Sequence, residues 1–188
     1  MKIAVLGSAP SSVLKAPFGD TAWEIWACSP GAYPHLTRVS EFWEVHRWEP
    51  GVVGKPLTQK PWFTPEYVQW LKTVPPRVWV ADPDALTDIG APRAALLPWQ
   101  ELVAKYGHYV WTSSVAYMLA QAIDKILAAR ATRPPEAVDQ DVIGLWGVDM
   151  AANEELYSGQ RAACQFFIQV IVGLKIDFFI PPESDLAV

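Results

Sequence analysis

Short, continuously apolar runs recur along this chain, and each stops at glycine, serine, proline or aspartate. Ile3-Ala4-Val5-Leu6 stops at Gly7, and Ala22–Cys28 stops at Ser29-Pro30-Gly31. Glu41–His46, Arg77–Ala81 before Asp82-Pro83, Val142–Asp149 and Lys175–Ile180 before Pro181-Pro182 follow the same plan. Runs that are apolar throughout, rather than at alternate positions, predict strands buried on both faces, as in a parallel sheet. Between them the period changes. Val115, Met118, Leu119, Ala122, Ile123, Ile126 and Leu127 fall at spacings of three and four, which predicts a helix over 113–130 with one broad buried face. Thr64 as an N-cap and Pro65 at the first helical position predict a helix to Lys72, ended by Pro75-Pro76. A last helix is expected over 159–173. Residues 10–22 read as a loop or short helix, Leu96-Leu97 as a short strand before a helix near Trp99, and 84–93, bounded by Pro83 and Pro92, as a surface excursion. Strands alternating with helices over 188 residues predict one three-layer α/β domain with a mainly parallel sheet.

In such sheets a ligand sits beyond the carboxyl ends of the strands. That rule gathers Gly7–Ser12, Ser29, His46, Asp82 and Asp149 on one rim. The turn Gly7-Ser8-Ala9-Pro10-Ser11-Ser12 brings small and hydroxylated residues where backbone N–H groups can approach an anion. Gly7 can supply a positive φ there, and Ser11 or Ser12 can cap a following helix. A single glycine is not the three-glycine dinucleotide fingerprint, so the turn points to a phosphate-bearing small molecule other than NAD, or to a plain strand-to-loop turn. Thr112-Ser113-Ser114 opens the long helix with free amides that suit an anion, or with ordinary caps. Asp149, just past a buried strand, suits a sugar hydroxyl or a general base. Arg161, beyond Tyr157 and Gln160, reads as a phosphate clamp or as an exposed partner of Glu154 or Glu155. Of the three histidines, His46 alone ends a predicted strand, which makes it the candidate acid or base, against a satisfied structural histidine.

Composition narrows the partners. Fifteen basic and 20 acidic side chains give −5, which argues against a nucleic-acid backbone as main partner. Two cysteines, Cys28 and Cys164, are too few for a disulfide framework and read as buried thiols of a reducing compartment. No apolar run reaches membrane-spanning length, and the first residues lead straight into a strand, so the expectation is a cytoplasmic protein. Ten tryptophans divide into core candidates (Trp23, Trp26, Trp43, Trp79, Trp146) and five near proline or polar residues. Those five, Trp48, Trp62, Trp70, Trp99 and Trp111, can wall a pocket or form an oligomer contact. No histidine and acid pair shows metal-ligand spacing, so no structural metal is expected.

Three stretches carry a family resemblance: Gly7-Ser8-Ala9-Pro10-Ser11, Thr112-Ser113-Ser114-Val115-Ala116-Tyr117-Met118 and Gly147-Val148-Asp149. With them the chain resembles the Rossmann-like families around bacterial sialyltransferases of the Campylobacter type, and the related motility-accessory and hydroxymethylpterin pyrophosphokinase-like domains. The closing section, from Gly147 through Tyr157 and Gln160-Arg161 to Pro181–Leu186, also resembles small proteins common in tailed-phage genomes. The resemblance implies that Gly7–Ser11 and Thr112–Ser114 line a nucleotide-sugar site. Two positions depart from it. The sialyltransferases place a histidine after the Gly-(Val/Ile)-Asp strand, and this chain has none beyond His108; the asparagine often following the first glycine is Ser8 here. The expectation is therefore a nucleotide or nucleotide-sugar binding protein acting as a glycosyl- or nucleotidyl-type transferase. Two alternatives remain: a non-catalytic binder that sequesters or senses a nucleotide, and a pyrophosphokinase on a pterin-like substrate. The latter needs ATP and Mg²⁺, with Asp82, Asp84 and Asp149 as the available acids.

Overall fold

Which strands neighbour one another decides where the rim of the sheet opens. A computed structural model describes residues 1–47, 64–134, 141–150 and 155–187, the side chains of 155–158 and 187 excepted. Its strands are β1 (Lys2–Leu6), β2 (Trp23–Cys28), β3 (Glu41–Glu44), β4 (Arg77–Val80), β5 (Ala94–Leu96), β6 (Val142–Trp146) and β7 (Asp177–Phe179). Its α-helices are α1 (Pro65–Thr73), α2 (Pro83–Ile89), α3 (Trp99–Tyr106), α4 (Ser114–Arg130) and α5 (Glu155–Gly173). The strands form one sheet in the order β5-β4-β3-β2-β1-β6-β7, with every pairing parallel.

Successive side chains of a strand face opposite ways, so each apolar run feeds two cores. Ile3 and Val5 of β1, with Trp26, Trp43, Ile143 and Leu145, pack against α4 and α5. Ala4 and Leu6, with Ile25, Phe42, Val78 and Val80, pack against Tyr67 and Leu71 of α1 and Ala85 and Ile89 of α2. This is the three-layer α/β arrangement the apolar runs predict. Strands β1 to β5 are added in one direction, and the chain then crosses back to place β6 on the other side of β1. The reversal makes the carboxyl ends of β1 and β6 the switch point, where turns diverge and a crevice opens.

Several local expectations change. Residues 83–89 are not a surface excursion but α2, with Pro83 in its first turn and Asp82 as N-cap, accepting from the Asp84 amide at 2.9 Å. The 7–22 connection holds a 3₁₀ turn at Val13–Lys15, and Ser12 flanks it without capping it. The third strand ends at Glu44, two residues before His46. Trp26, Trp43 and Trp146 are buried and Trp23 and Trp79 partly so, while Trp48 and Trp62 lie outside the described residues. Both cysteines are buried and free. Among the described residues no helix is long and apolar enough to cross a membrane.

Gly7 has a different purpose from the one its turn suggests. It has no positive φ; Gly147, on the neighbouring turn, does, at 64°. What Gly7 provides is close approach: a Cβ there would lie 2.3 Å from the Gly147 carbonyl oxygen. Gly7→Ala should therefore destabilise the protein by about 1–3 kcal/mol through forced separation of the β1 and β6 turns. Gly19→Ala is the control, since a Cβ there meets nothing within 4 Å. Thermal unfolding of the two variants measures the difference; equal midpoints would contradict the close-approach argument.

Candidate functional site

The two turns at the switch point are stitched together by hydrogen bonds. Gly7 N–H donates to Trp146 O (2.9 Å), Ala9 N–H to Gly147 O (2.8 Å), and Gly147 N–H to Ser12 Oγ (2.8 Å). They form the floor of a cleft of about 640 Å³, a volume within the usual range for small-molecule sites. Gly7–Pro10 and Gly147–Met150 line it, with Cys28 and Ser29 from the end of β2, Val45 and His46 beyond β3, and Ala81 beyond β4. Trp111–Val115 and Tyr117 from the start of α4, and Gln160 from α5, complete the wall.

Most of the residues read from the sequence as a rim meet here: Gly7, Ser8, Ala9, Pro10, Ser29, His46, Thr112, Ser113, Ser114, Asp149 and Gln160. Ser11, Ser12, Asp82 and Arg161 do not line it; Asp82, expected on the same rim, caps α2 instead. The Ser12 hydroxyl is buried and occupied by Gly147 N–H, so it fastens the turns rather than facing a ligand. Arg161 is half-buried on α5, one position beyond Gln160. The Tyr157 side chain lies outside the described residues. Trp111, expected as a pocket wall, lines the cleft, as does Tyr117 of the Thr112–Met118 stretch; Cys28, Val45, Ala81 and Met150 line it without having been candidate site residues.

The hydroxyls at the start of α4 are already engaged. Ser113 is the N-cap and accepts from Ala116 N–H at 3.2 Å, and Thr112 Oγ1 donates to Gly159 O at 3.0 Å. The feature left for an anion is the backbone: first-turn N–H groups at Ser114 and Val115, which no carbonyl within the helix can reach. The helix dipole adds partial positive charge at that end. Opposite, Ser29 holds a φ of 75°, an uncommon conformation for a residue with a Cβ. Its hydroxyl accepts from Gly31 N–H at 3.1 Å, which keeps the turn closed.

Two acid–base groups face the same space. Asp149 is half-buried in the cleft wall, and its Oδ1 is buried with no hydrogen-bond partner among the described residues, so the carboxylate keeps unused acceptor capacity. The loop that carries it is braced from the carboxyl end of the chain: Ser184 Oγ donates to Val148 O (2.7 Å) and Met150 N–H to Asp185 Oδ1 (2.7 Å). His46 is about one-third exposed, and its Nδ1 hydrogen-bonds Glu44, whose side chain is fully buried. Burial alone would lower the His46 pKa; the hydrogen bond and charge of Glu44 outweigh it, and the net direction is upward. Burial, helped by the Glu44 charge, pushes the Cys28 thiol up to about 12, so Cys28 is a poor nucleophile despite its place in the wall.

Among the described residues, no group of three His, Cys, Asp or Glu side chains is placed to hold a metal ion. Asp82 and Asp84 border a second, smaller depression with Arg47, which meets the cleft at Ala81.

With this geometry the chain is similar, among solved structures, to a point mutant of the α-2,3/8-sialyltransferase CstII. The TM-score is 0.54 and the identity 16%, over 100% of this chain and 84% of that one. The fold is sialyltransferase-like. The likeness spans the whole seven-stranded sheet, and at this identity it speaks for the fold alone. No family model matches the sequence, and no curated protein matches it.

Proposed function

We propose that the protein is a glycosyltransferase that uses a nucleotide-linked sugar. One observation carries the reading: the amino end of α4, an anion-binding feature, opens on the same cleft as His46 and Asp149. The sialyltransferase-like fold supports it from a separate direction.

In this reading the donor's phosphates lie against the first amides of α4. The Gly7–Pro10 turn forms the floor beside them, its Gly7 and Ala9 amides being spent on Trp146 and Gly147 rather than free for an anion as the sequence suggested. The bond between the anomeric carbon and the phosphate oxygen breaks with its electron pair on that oxygen, and the α4 dipole stabilises the charge. An acceptor hydroxyl forms the new bond to the anomeric carbon and gives its proton to His46. The Asp149 carboxylate accepts a hydrogen bond from a hydroxyl of the sugar. Arg161, outside the cleft lining, has no step. Because His46 must be neutral to take a proton and its pKa is raised, the acid limb of the rate profile should fall above pH 6.5, the ordinary histidine value.

Thermal unfolding with nucleotides, nucleotide sugars and the free sugars tests the binding. A ligand at 100 times its dissociation constant stabilises by about 2.7 kcal/mol, a visible rise in the midpoint. Nucleotide sugars should raise it and free sugars should not. No shift with any nucleotide would overturn the reading. Binding without turnover would favour a sequestering or sensing role, and a shift seen only with ATP and Mg²⁺ would favour a pyrophosphokinase.

A further inference from the structure

Glu44 is a charged residue in the wrong surroundings. It ends β3, an interior strand, with its side chain fully buried on the sheet face that α1 covers. A carboxylate removed from water is costly unless each oxygen finds donors. Here both oxygens do. Oε1 accepts from the His46 backbone N–H at 3.0 Å and meets His46 Nδ1. Oε2 accepts from the Tyr67 hydroxyl of α1 at 2.5 Å. The same oxygen therefore grips His46 twice, by backbone and ring, and fixes where the ring sits.

The grip also selects the tautomer. An ionised carboxylate can only accept, so His46 Nδ1 carries a hydrogen, and Nε2 is the nitrogen that gains and loses a proton. Tyr67 acts from behind. Its phenol is buried between Tyr33, Phe42 and Trp70, and burial followed by the Glu44 charge holds its pKa well above the usual value. It therefore remains a donor at any ordinary pH. The other titratable group against Glu44 is Cys28 of β2, whose thiol stays neutral; Tyr33 stands behind Tyr67. Nothing else among these groups competes with His46 for the role of proton carrier.

We propose that Glu44, held by Tyr67, is the positioning residue for His46: it fixes the Nδ1–H tautomer and leaves Nε2 as the nitrogen that takes the proton. This rests on the reading of His46 as the base. A purely structural carboxylate would have no reason to chelate a residue that lines the ligand cleft, and an apolar side chain would fill the same space at less cost.

The test is an NMR titration of the His46 ring nitrogens in the wild type, Glu44→Gln and Tyr67→Phe, each confirmed folded by thermal unfolding. The wild type should show the Nδ1–H tautomer and a pKa above 6.5. Glu44→Gln should bring that pKa below the wild-type value, because burial is then unopposed. Tyr67→Phe should move it the other way, since a carboxylate relieved of one donor attracts the imidazolium more strongly. If Glu44→Gln does not fold, the Tyr67→Phe direction alone decides. Turnover by Glu44→Gln should fall about 10²-fold with KM little changed, and its acid limb should move to lower pH with the His46 pKa. A His46 titration and tautomer unaltered in both variants would overturn the proposal. If His46→Gln retains full turnover while Glu44→Gln still moves the titration, the base reading fails and the positioning stands.

Discussion

His46→Gln should lower turnover by about 10²- to 10⁴-fold, the usual worth of a positioned general base, while leaving nucleotide affinity within a few-fold. The split follows from the layout of the cleft. The phosphate feature is the amino end of α4; His46 arrives separately, beyond the end of β3. Glutamine keeps the size and polarity of the ring's position but cannot hold a proton near neutral pH. Steady-state kinetics beside a binding titration distinguishes the outcomes. Equal loss of affinity and turnover would mean that His46 binds phosphate rather than moving a proton. Unchanged turnover would remove it from the chemistry.

The largest effect on stability is expected far from the cleft, at Asp141. Its fully buried carboxylate takes the Met1 ammonium at 2.6 Å, Arg130 Nε at 2.8 Å and Arg133 at 2.8 and 2.9 Å. Arg130 goes on to donate to the carbonyls of Leu174 and Lys175, at 2.7 and 2.9 Å. One carboxylate thus ties the end of α4, the start of β6 and the exit of α5. Asp141→Ala leaves these cations facing a gap and should cost about 3–5 kcal/mol, a large part of the stability of an ordinary domain. Burial by itself would raise the Asp141 pKa; hydrogen bonds from the N-terminal ammonium, Arg130 and Arg133 together outweigh it, and the net direction is downward. A carboxyl lowered on folding contributes its full stability above the unfolded value of about 3.9 and loses it as pH falls through the lowered folded value. Chemical denaturation of the wild type should weaken over that acid window, and Asp141→Asn should lack this part of the dependence. Equal acid sensitivity in the two proteins would contradict the assignment.

How much of this was legible beforehand depends on the distance over which each feature is determined. The strands could be read locally, because burial on both faces leaves runs such as Ile3–Leu6 with no polar position. The α4 face is legible in its spacing, and the strand-end rule gathers Gly7, Ser29, His46 and Asp149 but adds Asp82, which caps α2 and borders the neighbouring depression. Residues 83–89 do not read as a helix because seven residues opened by Pro83, with Asp84 and Asp88 among them, show little periodicity; the cap at Asp82 is the available signal. The role of Gly7 was misread because its constraint is the carbonyl of Gly147, which lies 140 positions away in the sequence. Ser12 was misread for the same reason. In the sequence Glu44 reads as one more residue of a strand. Its meaning needs Tyr67, brought in by α1, and only its charge within Phe42-Trp43-Glu44-Val45, two residues before a histidine, hinted at it.

Isothermal titration of the protein with CMP-, UDP- and GDP-linked sugars and with the free nucleotides tests the central claim most directly, repeated on Asp149→Asn. If the cleft holds a nucleotide sugar as argued, one donor binds more tightly than its own nucleotide, by about tenfold or more for a hydrogen bond to a charged group. Asp149→Asn should then erase that advantage and leave the nucleotide's affinity in place. A protein that binds no nucleotide, or that binds the nucleotide and its sugar conjugate equally well before and after the substitution, would contradict the account.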